Sequence, residues 1–324
     1  MTSLQKIKAP VAEDFKAFQK VFRQTVRSRV PLLDIIMRYI LKSKGKQMRP
    51  LFVLFSAGTI GQINESTYRA ATLIELMHTA TLVHDDVVDD SFQRRGRFSV
   101  NYLWKNKIAV LAGDFLLSRG MLLATENKDF RMLEIVSEAV KDMSEGELLQ
   151  LDKARKLDIS EDVYYEIIRK KTASLLASCC ATGAASVTSD ETLIEKMRVI
   201  GENTGMAFQI RDDLFDLQTE NQSGKPAGID IKEKKMTLPL IYLLQQSGSA
   251  EKRKIITIIK KHNENPDKVG WLIDHIKQAG GIDYSIQQMQ QFKDKAIAML
   301  EEFPDSEARH SLQALIEFAI KRKN

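Results

Sequence analysis

Apolar residues recur every three or four positions along almost the whole chain, whereas the alternation typical of β-strands is scarce. Leu116, Leu117 and Leu122 show the spacing, which places side chains on one face of a helix. None of the seven prolines falls between Pro50 and Pro226, so long helices are possible there. The pattern predicts an all-α protein with helices at residues 12–29, 32–42, 47–60, 65–92, 109–125, 129–152, 160–186, 190–219, 236–246, 250–262, 267–279, 281–301 and 305–321.

The helix expected at residues 65–92 is apolar around most of its circumference, which is typical of a helix at the centre of a bundle. Four aspartates crowd its end, between residues 85 and 90. Each residue advances the helix by about 100°, so Asp85 and Asp89 share a face and His78 lies nearly in line with them. Burying such charge without partners is unfavourable. We therefore expect this end to open onto a cavity that holds a cation or ligand.

Hard divalent cations bind carboxylate oxygens, and Mg²⁺ typically uses one or two carboxylates together with substrate phosphates. Arg94 and Arg95 follow the aspartates, and guanidinium groups can grip phosphate oxygens bidentately. Taken alone, the array is equally compatible with a solvated acidic helix end. A second array follows another apolar helical stretch, as Asp212, Asp213 and Asp216. Two arrays, each unfavourable alone, favour a shared metal and diphosphate site.

Lys46 and Arg49 follow Gly45 at the start of a predicted helix. Both cations, together with the partial positive charge of the helix N-terminus, can bind one anion, although a solvated basic loop has the same composition. Further on, Gly113 offers a place where helices can pack closely. We interpret the neighbouring Asp114 as a cap or salt-bridge partner rather than a ligand.

Lys171 and Thr172 enter a helix of small side chains, which favours a lysine that faces a cavity. Downstream of the second array, the segment containing Lys225 and Lys235 is rich in glycine and lysine. Such a segment suits a phosphate-binding lid, because glycines permit hinge motion and lysines are mobile charges.

The chain has 324 residues, of which 44% are hydrophobic and 28% charged, enough for one large globular domain, and no low-complexity linker interrupts it. A single domain over residues 1–324 is the simplest prediction. The 48 basic and 43 acidic residues are interspersed, which does not favour a nucleic-acid partner. Cys179 and Cys180 are adjacent, so neither a disulfide framework nor a cysteine-based zinc site is expected. The N-terminus lacks an apolar signal core and no run approaches a membrane span, which predicts a cytoplasmic protein with at most peripheral membrane contact.

Six motifs, in order, resemble those of the trans-isoprenyl diphosphate synthases, and within them the long-chain, octaprenyl-like polyprenyl diphosphate synthases. They are Gly45-Lys46-x-x-Arg49-Pro50, His78 through Asp85-Asp86-x-x-Asp89 to Arg94-Arg95-Gly96, Lys171-Thr172, Phe208-Gln209-x-x-Asp212-Asp213-x-x-Asp216, Gly224-Lys225-Pro226 and Thr237-Leu238-Pro239. The resemblance covers most of the chain. It implies one helical bundle of the isoprenoid synthase (class I terpenoid synthase) type with a central active-site cavity, and a homodimer. In that family a glycine usually precedes the loop lysine, where this chain has Lys234 before Lys235.

The resemblance also implies Mg²⁺-dependent head-to-tail condensation of isopentenyl diphosphate with an allylic diphosphate. Two ions would be held by Asp85 and Asp89 and a third by Asp212, with support from Asp86, Asp213 and Asp216. The allylic diphosphate would be bound by Arg94, Lys171 and Lys235, with Thr172, Gln209 and the lid residue Lys225 nearby. Isopentenyl diphosphate would be bound by Lys46, Arg49, His78 and Arg95.

Product length is predicted from the same central helix. The growing chain is expected to pass the residues one to three turns before Asp85, namely Thr81, Ala80, Met77 and Ile74. In short-product members bulky aromatics near these positions close the tunnel, so the small Ala80 and Thr81 predict a long-chain product, with Met77, Phe55 or Phe115 as a possible floor. Simple helix packing is the other interpretation of these small residues. The competing functions are a shorter-chain synthase, a class I terpenoid cyclase and a non-catalytic synthase subunit.

Overall fold

A computed structural model describes residues 3–42, 45–94, 96–157, 159–217 and 228–321. These residues are almost entirely helical, which confirms the all-α prediction. The strands among them are β1 (Gln93–Arg94) and β2 (Arg97–Phe98), which form one antiparallel hairpin. The helices are α1 (Ser3–Lys8), α2 (Ala12–Thr25), α3 (Pro31–Lys42), α4 (Met48–Ile60), α5 (Glu65–Val88), α6 (Val100–Glu126), α7 (Phe130–Lys156), α8 (Glu161–Ile168), α9 (Ser174–Ala185), α10 (Glu191–Asp216), α11 (Ile229–Lys232), α12 (Leu238–Gln246), α13 (Ser249–Lys261), α14 (Pro266–Gln278), α15 (Gly281–Glu301) and α16 (Glu307–Lys321), with a 3₁₀ turn at Ala9–Val11 and a π-helical turn at Arg169–Ala173.

The chain forms two compact units, and each is described separately below. The first unit comprises Met1–Val140, Ser178–Arg198 and Glu301–Leu315. The second comprises Lys141–Ala177, Val199–Leu300 and Ile316–Asn324. A single domain over the whole chain stays a prediction.

Helix α5 is the central element of the first unit, as its apolar circumference predicts. It packs against α2, α4 and α6, and Ala70, Ile74 and Ala80 are fully buried. Asn64 fixes its start, because the side-chain oxygen accepts hydrogen bonds from the backbone N–H groups of Ser66 and Thr67. The first carboxylate array is thereby carried on a helix whose position is set by the core.

The contact between α5 and α6 depends on a glycine, as the sequence predicts. A Cβ atom at Gly113 would lie 2.1 Å from Nε2 of His84, so any side chain there would displace that ring. His84 Nε2 lies 3.2 Å from the carbonyl oxygen of Val110 and 3.6 Å from Oδ1 of Asp114. Asp114 is thus an ionic partner on α6, in line with its interpretation from sequence.

Helix α6 is long and apolar enough to cross a membrane by length and composition, which corrects the expectation that no run approaches that size. The core helix of a soluble protein passes the same test, and a third of the apolar window of α6 is buried. Lys105 interrupts the helix with φ of 70° and ψ of 162°. The sequence prediction placed the helix start after this interruption, at residue 109.

The second unit has its own apolar core, built by α8, the end of α10 and helices α11 to α14. Ile210, Leu238, Ile255, Leu272 and Ile276 are among its fully buried members. This core holds the C-terminal end of α10 against the short helix α11 and the segment that follows it. The second carboxylate array and the described part of the segment downstream, which ends at Lys235, therefore pack on the same core.

The structure differs from the predicted helices in three ways, each with a local reason. Helix α5 ends at Val88 rather than at residue 92, because Asp90 adopts a left-handed conformation with φ of 47° and the chain turns into the hairpin. The helix predicted at 160–186 is divided by the π-helical turn at Arg169–Ala173. The short helices α1 and α11 lack a long periodic pattern and were not predicted.

Candidate active site

The first two aspartates of the α5 array have opposite environments. Asp85 is exposed, whereas Asp86 is only 3% exposed. Adjacent helical residues diverge by about 100°, so the two carboxylates cannot share a face. Asp89, at the C-cap of α5, is exposed on the same side as Asp85. The array thus presents Asp85 and Asp89 outward, as the spacing predicts, and turns Asp86 inward.

The hairpin that follows α5 supplies the partner of Asp86. Arg94 on β1 donates from Nε to Oδ1 of Asp86 at 2.6 Å. The Nδ2 atom of Asn101 donates to the backbone carbonyl of Asp86 at 2.9 Å, which fixes the start of α6 beside it. Burial raises the pKa of the Asp86 carboxyl, and Arg94 opposes that rise. Arg94 is therefore held beside the first array by an ion pair, while Arg95 lies outside the described residues.

A cavity in the first unit lies beside this ion pair. Asp86, Arg94 and the buried His78 line its polar side, together with Gly45 and Gln47. Its apolar lining includes Phe22, Tyr39, Ile40, Leu82 and Val83. Glu75 also lines the cavity, so the charged groups on its wall are two carboxylates, Asp86 and Glu75, and one guanidinium, Arg94.

Two cations predicted to bind an anion, Lys46 and Arg49, lie in different local structures near this cavity. Gln47 adopts a left-handed conformation with φ of 47°, so α4 starts at Met48, one residue after the predicted start. Lys46 lies exposed in the preceding segment, between the two cavity-lining residues Gly45 and Gln47. Arg49 lies in the first turn of α4 and is partly buried.

The residues predicted to control product length differ in burial and contacts. Ala80 and Ile74 are fully buried, and Met77 is 5% exposed. Met77 packs against α6, since its Sδ atom would lie 3.5 Å from a Cβ atom at Gly120. Thr81 donates its hydroxyl hydrogen to the carbonyl of His78 at 2.9 Å. Their role in product length stays a prediction.

The second array, at the end of α10, repeats the exposed and buried pair. Asp212 is exposed and Asp213 is 7% exposed. The hydroxyl of Tyr164 donates to Oδ2 of Asp213 at 2.7 Å, and Nε2 of Gln209 donates to Oδ1 at 2.8 Å. Burial raises the pKa of Asp213 to about 7, repulsion from Asp230 adds to the rise, and the two hydrogen bonds oppose it.

The third aspartate of this array organises the backbone downstream. The Oδ1 atom of Asp216 accepts from the N–H of Ile229 at 3.0 Å, and its Oδ2 atom accepts from the N–H of Asp230 at 2.9 Å. These are the first N–H groups of α11, so Asp216 caps that helix. Burial raises the pKa of Asp230 to about 6, and the neighbouring Asp216 adds to the rise.

Lys171 lies in the π-helical turn, a feature that is frequent at functional sites. Its Nζ atom lies 2.5 Å from Oε2 of Glu147 and 3.4 Å from Oε1 of Gln150, both on α7. A Cβ atom at Gly146 would lie 2.8 Å from the backbone nitrogen of Lys171, so only glycine permits this approach. Next to it, the Thr172 hydroxyl donates to Oε1 of Gln209 at 2.7 Å.

The structure also separates the two adjacent lysines after α11. Lys235 lines the cavity of the second unit, with Nζ 2.5 Å from Oε2 of Glu233 and 3.5 Å from Oδ1 of Asp230. Burial lowers the pKa of Lys235, but these two carboxylates raise it by more. Lys234 adopts a left-handed conformation with φ of 58°, a conformation that glycine adopts without steric cost.

The cavity of the second unit gathers most of the residues predicted in this half of the chain. It is lined by Lys171, Thr172, Gln209, Asp212, Asp213 and Lys235, together with Gln150, Tyr164 and Asp230. Gln150, Tyr164 and Asp230 were not predicted as members, because nothing in their spacing links them to the array. Lys225 lies outside the described residues.

The donor set fits hard divalent cations. Asp85, Asp89 and Asp212 expose carboxylate oxygens, the ligands that Mg²⁺ and Ca²⁺ prefer. Within the part of the chain that the structure describes, no three His, Cys, Asp or Glu side chains converge as a ready-made metal site. The arrangement suits an ion that takes one or two carboxylates and completes its coordination with phosphate oxygens and water.

Comparison with known proteins gives a consistent result. The family model for polyprenyl synthetase matches residues 30–276. The chain is 35% identical to the all-trans-nonaprenyl-diphosphate synthase (geranyl-diphosphate specific) of Rhodobacter capsulatus, over 98% of both chains. It is 34% identical to the octaprenyl diphosphate synthase of Escherichia coli, over 99% of both. The crystal structure of polyprenyl synthase from Caulobacter crescentus, complexed with calcium and isoprenyl diphosphate, superposes with a TM-score of 0.88 at 33% identity, covering 99% of this chain and 98% of that one.

Proposed function

The chain belongs to the polyprenyl synthetase family, and we propose that it is an all-trans, long-chain polyprenyl diphosphate synthase. It would condense isopentenyl diphosphate head to tail with an allylic diphosphate. The observation that carries the proposal is the repeated pairing of an exposed aspartate with a buried, hydrogen-bonded one at the end of two helices, each beside a cavity with cations. Full-length similarity to long-chain synthases supports it.

The roles that we propose for the individual residues are those that the family resemblance implies. Asp85 and Asp89 would hold two Mg²⁺ ions and Asp212 a third, while Asp86, Asp213 and Asp216 keep the arrays and their neighbours in place. Arg94, Lys171 and Lys235 would bind the allylic diphosphate, with Thr172, Gln209 and Lys225 beside them. Lys46, Arg49, His78 and Arg95 would bind isopentenyl diphosphate. The calcium and isoprenyl diphosphate of the Caulobacter crescentus complex support a divalent cation and a diphosphate ligand.

The chain's contribution to catalysis is electrostatic. Bound Mg²⁺ would neutralise the charge that develops on the leaving diphosphate. Arg94, Lys171 and Lys235 add fixed positive charge where that oxygen charge appears, and hydrogen bonds or ion pairs hold each of them before substrate arrives. The apolar walls exclude water from the allylic cation until the isopentenyl double bond attacks its C1. The released diphosphate is the base that takes the proton, so no protein nucleophile is required.

The function is tested by incubating purified protein with Mg²⁺, radiolabelled isopentenyl diphosphate and either geranyl or farnesyl diphosphate. Chromatography of the products after dephosphorylation gives their length. We expect a ladder of all-trans chains that ends at a long product, and no product when the metal is chelated. Absence of elongation would reject the synthase in favour of a non-catalytic subunit, and cyclic products would indicate a terpenoid cyclase.

Product length is tested at Ala80, which is fully buried on α5. Ala80→Phe should shift the products to shorter chains, because the added ring would occupy the predicted path of the tail. The product distribution of the folded fraction is the measurement, so a loss of stability from overpacking does not obscure it. Ala80→Ser keeps the volume small and should leave product length unchanged. The same distribution in all three proteins would contradict the assigned path.

We further propose a cytoplasmic homodimer that associates through α6. Val110, Leu111, Met121 and Leu122 are each at least 41% exposed, and their spacing of about three turns places them on one face of the helix. A second copy of this face would cover it. Leu111→Asp should give monomers in light scattering, whereas Ile286→Asp, at a similarly exposed position on α15, should not.

A further inference from the structure

The surface of α13 and the start of α14 carries cations without carboxylate partners. Over residues 249–271 there are six Lys or Arg residues against three carboxylates. Five of the cations are exposed and Lys268 is half-buried. No ion pair involves any of the six within the residues that the structure describes; they are Lys252, Arg253, Lys254, Lys260, Lys261 and Lys268.

Some cations elsewhere in the second unit are matched to acids. Lys170 pairs with Glu145 at 2.8 Å, and Arg169 lies 3.4 Å from Glu202. Such pairing neutralises the surface around α7 and α8. The cations of α13 lack it, although Glu251 and Glu264 are close in sequence. The charge on this face is thus left for an external anion.

A groove between α13 and α14 gives this face an amphipathic centre. Trp271 lies in it, with Nζ of Lys254 3.8 Å from the centroid of the indole ring and the His275 ring 3.6 Å away. Arg253 and Lys268 line the same groove, together with His262 and one carboxylate, Asp267. Tryptophan flanked by lysine and arginine is the combination enriched at the headgroup level of membranes.

We propose that the face formed by α13 and the start of α14 docks the protein on anionic lipid surfaces. The isoleucines Ile255, Ile258 and Ile259 point into the core, so α13 cannot insert an apolar face and binding is electrostatic. The choice of a lipid over a nucleic acid rests on the proposed function, because a long polyprenyl diphosphate partitions into membranes.

The face also lies close to the segment of the same unit that runs from Gly228 to Lys235. Asn263, between α13 and α14, donates from Nδ2 to the carbonyl of Lys232 at 2.5 Å. The backbone at Gly228 packs on α14, since a Cβ atom there would lie 2.7 Å from Cγ1 of Val269. Docking would therefore bring the segment that ends at Lys235 near the lipid surface.

The test is sedimentation of the full chain, without substrates, with vesicles of phosphatidylcholine alone or mixed with phosphatidylglycerol. We expect binding only to the anionic vesicles. The triple variant Arg253→Gln, Lys260→Gln, Lys261→Gln should lower the partition coefficient on the order of 100-fold. A matched control, Lys20→Gln, Arg23→Gln, Arg27→Gln, removes three exposed cations from α2 and the turn after it, and should bind as the unmodified protein does. Circular dichroism and thermal unfolding establish that both variants fold.

Three outcomes would overturn the proposal: equal binding to neutral and anionic vesicles, equal loss in the two variants, or binding to a DNA duplex but not to anionic vesicles. High salt should release the protein, because the screening length falls from about 8 Å at physiological ionic strength to about 3 Å at 1 M. Prenyl transfer is measured separately in lipid-free buffer. A protein that elongates but does not bind vesicles rejects the docking face alone, and one that binds but does not elongate rejects the synthase alone.

Discussion

The two carboxylate arrays have the same sequence spacing but differ in how the inner aspartate is held. Asp86 on α5 faces Arg94, a cation. Asp213 on α10 faces the neutral donors Tyr164 and Gln209 and is repelled by Asp230. The first inner carboxylate is therefore balanced by opposite charge, whereas the second is a buried carboxyl group whose pKa is raised to about 7.

The third aspartates differ as well. Asp89 is exposed at the end of α5, while both oxygens of Asp216 accept backbone N–H groups of α11. One array thus ends in a carboxylate open to a ligand, and the other ends in a carboxylate that shapes the next segment. Members of one motif need not share a role. The first position of the motif is the one that is exposed in both arrays, as Asp85 in one and Asp212 in the other.

The largest expected effect on activity is at the first aspartate of each array. Asp85→Asn and Asp212→Asn should each lower kcat/KM on the order of 10³-fold, because each removes a charge proposed to bind the metal that neutralises the leaving diphosphate. Asp90→Asn is the matched control. Asp90 is exposed, adjacent to the first array and left-handed, a conformation that asparagine tolerates, so activity should change little. Equal losses at Asp85 and Asp90 would contradict the assignment.

The next effect contrasts the inner aspartates in the metal-free protein. Asp86→Asn should destabilise by about 1.5–3 kcal/mol, because it removes the charge that Arg94 bonds to. Asp213→Asn should change stability by less than about 1 kcal/mol, since burial and Asp230 already disfavour its carboxylate and the Tyr164 hydroxyl can also accept a hydrogen bond. Denaturant unfolding in chelator is the measurement. Equal losses would show that the two inner aspartates are held alike.

The sequence predicts much of the fold and the composition of both arrays, because the helical period places Asp85 and Asp89 on one face regardless of tertiary structure. It does not predict the partners of Asp213, since Tyr164 lies 49 residues away along the chain. Nor does it predict where α5 stops, which depends on the left-handed Asp90. Spacing identifies side chains on one element, and contacts between elements are set by packing.

The third aspartates provide a smaller contrast. Asp216→Asn should destabilise by about 1 kcal/mol, because the amide group can accept only one of the two N–H groups that the carboxylate accepts. Amide hydrogen exchange at Ile229 and Asp230 should accelerate. Asp89→Asn should leave the free energy of unfolding unchanged, since the exposed side chain has no such contacts among the described hydrogen bonds. Unchanged exchange at Ile229 in the Asp216 variant would argue against the cap.

The smallest effect concerns the lysine pair beside the second array. At Lys234 the left-handed conformation costs a residue with a side chain about 1–2 kcal/mol, while glycine adds about 0.4–1 kcal/mol of unfolded-state entropy. Lys234→Gly should therefore stabilise the protein by about 0.5–1 kcal/mol and leave activity intact. Lys128→Gly is a matched control, because Lys128 is exposed in the first unit with φ of 60° and should give a similar gain. If activity fell in the Lys234 variant but not in the Lys128 variant, Lys234 rather than Lys235 would be the lysine that binds phosphate.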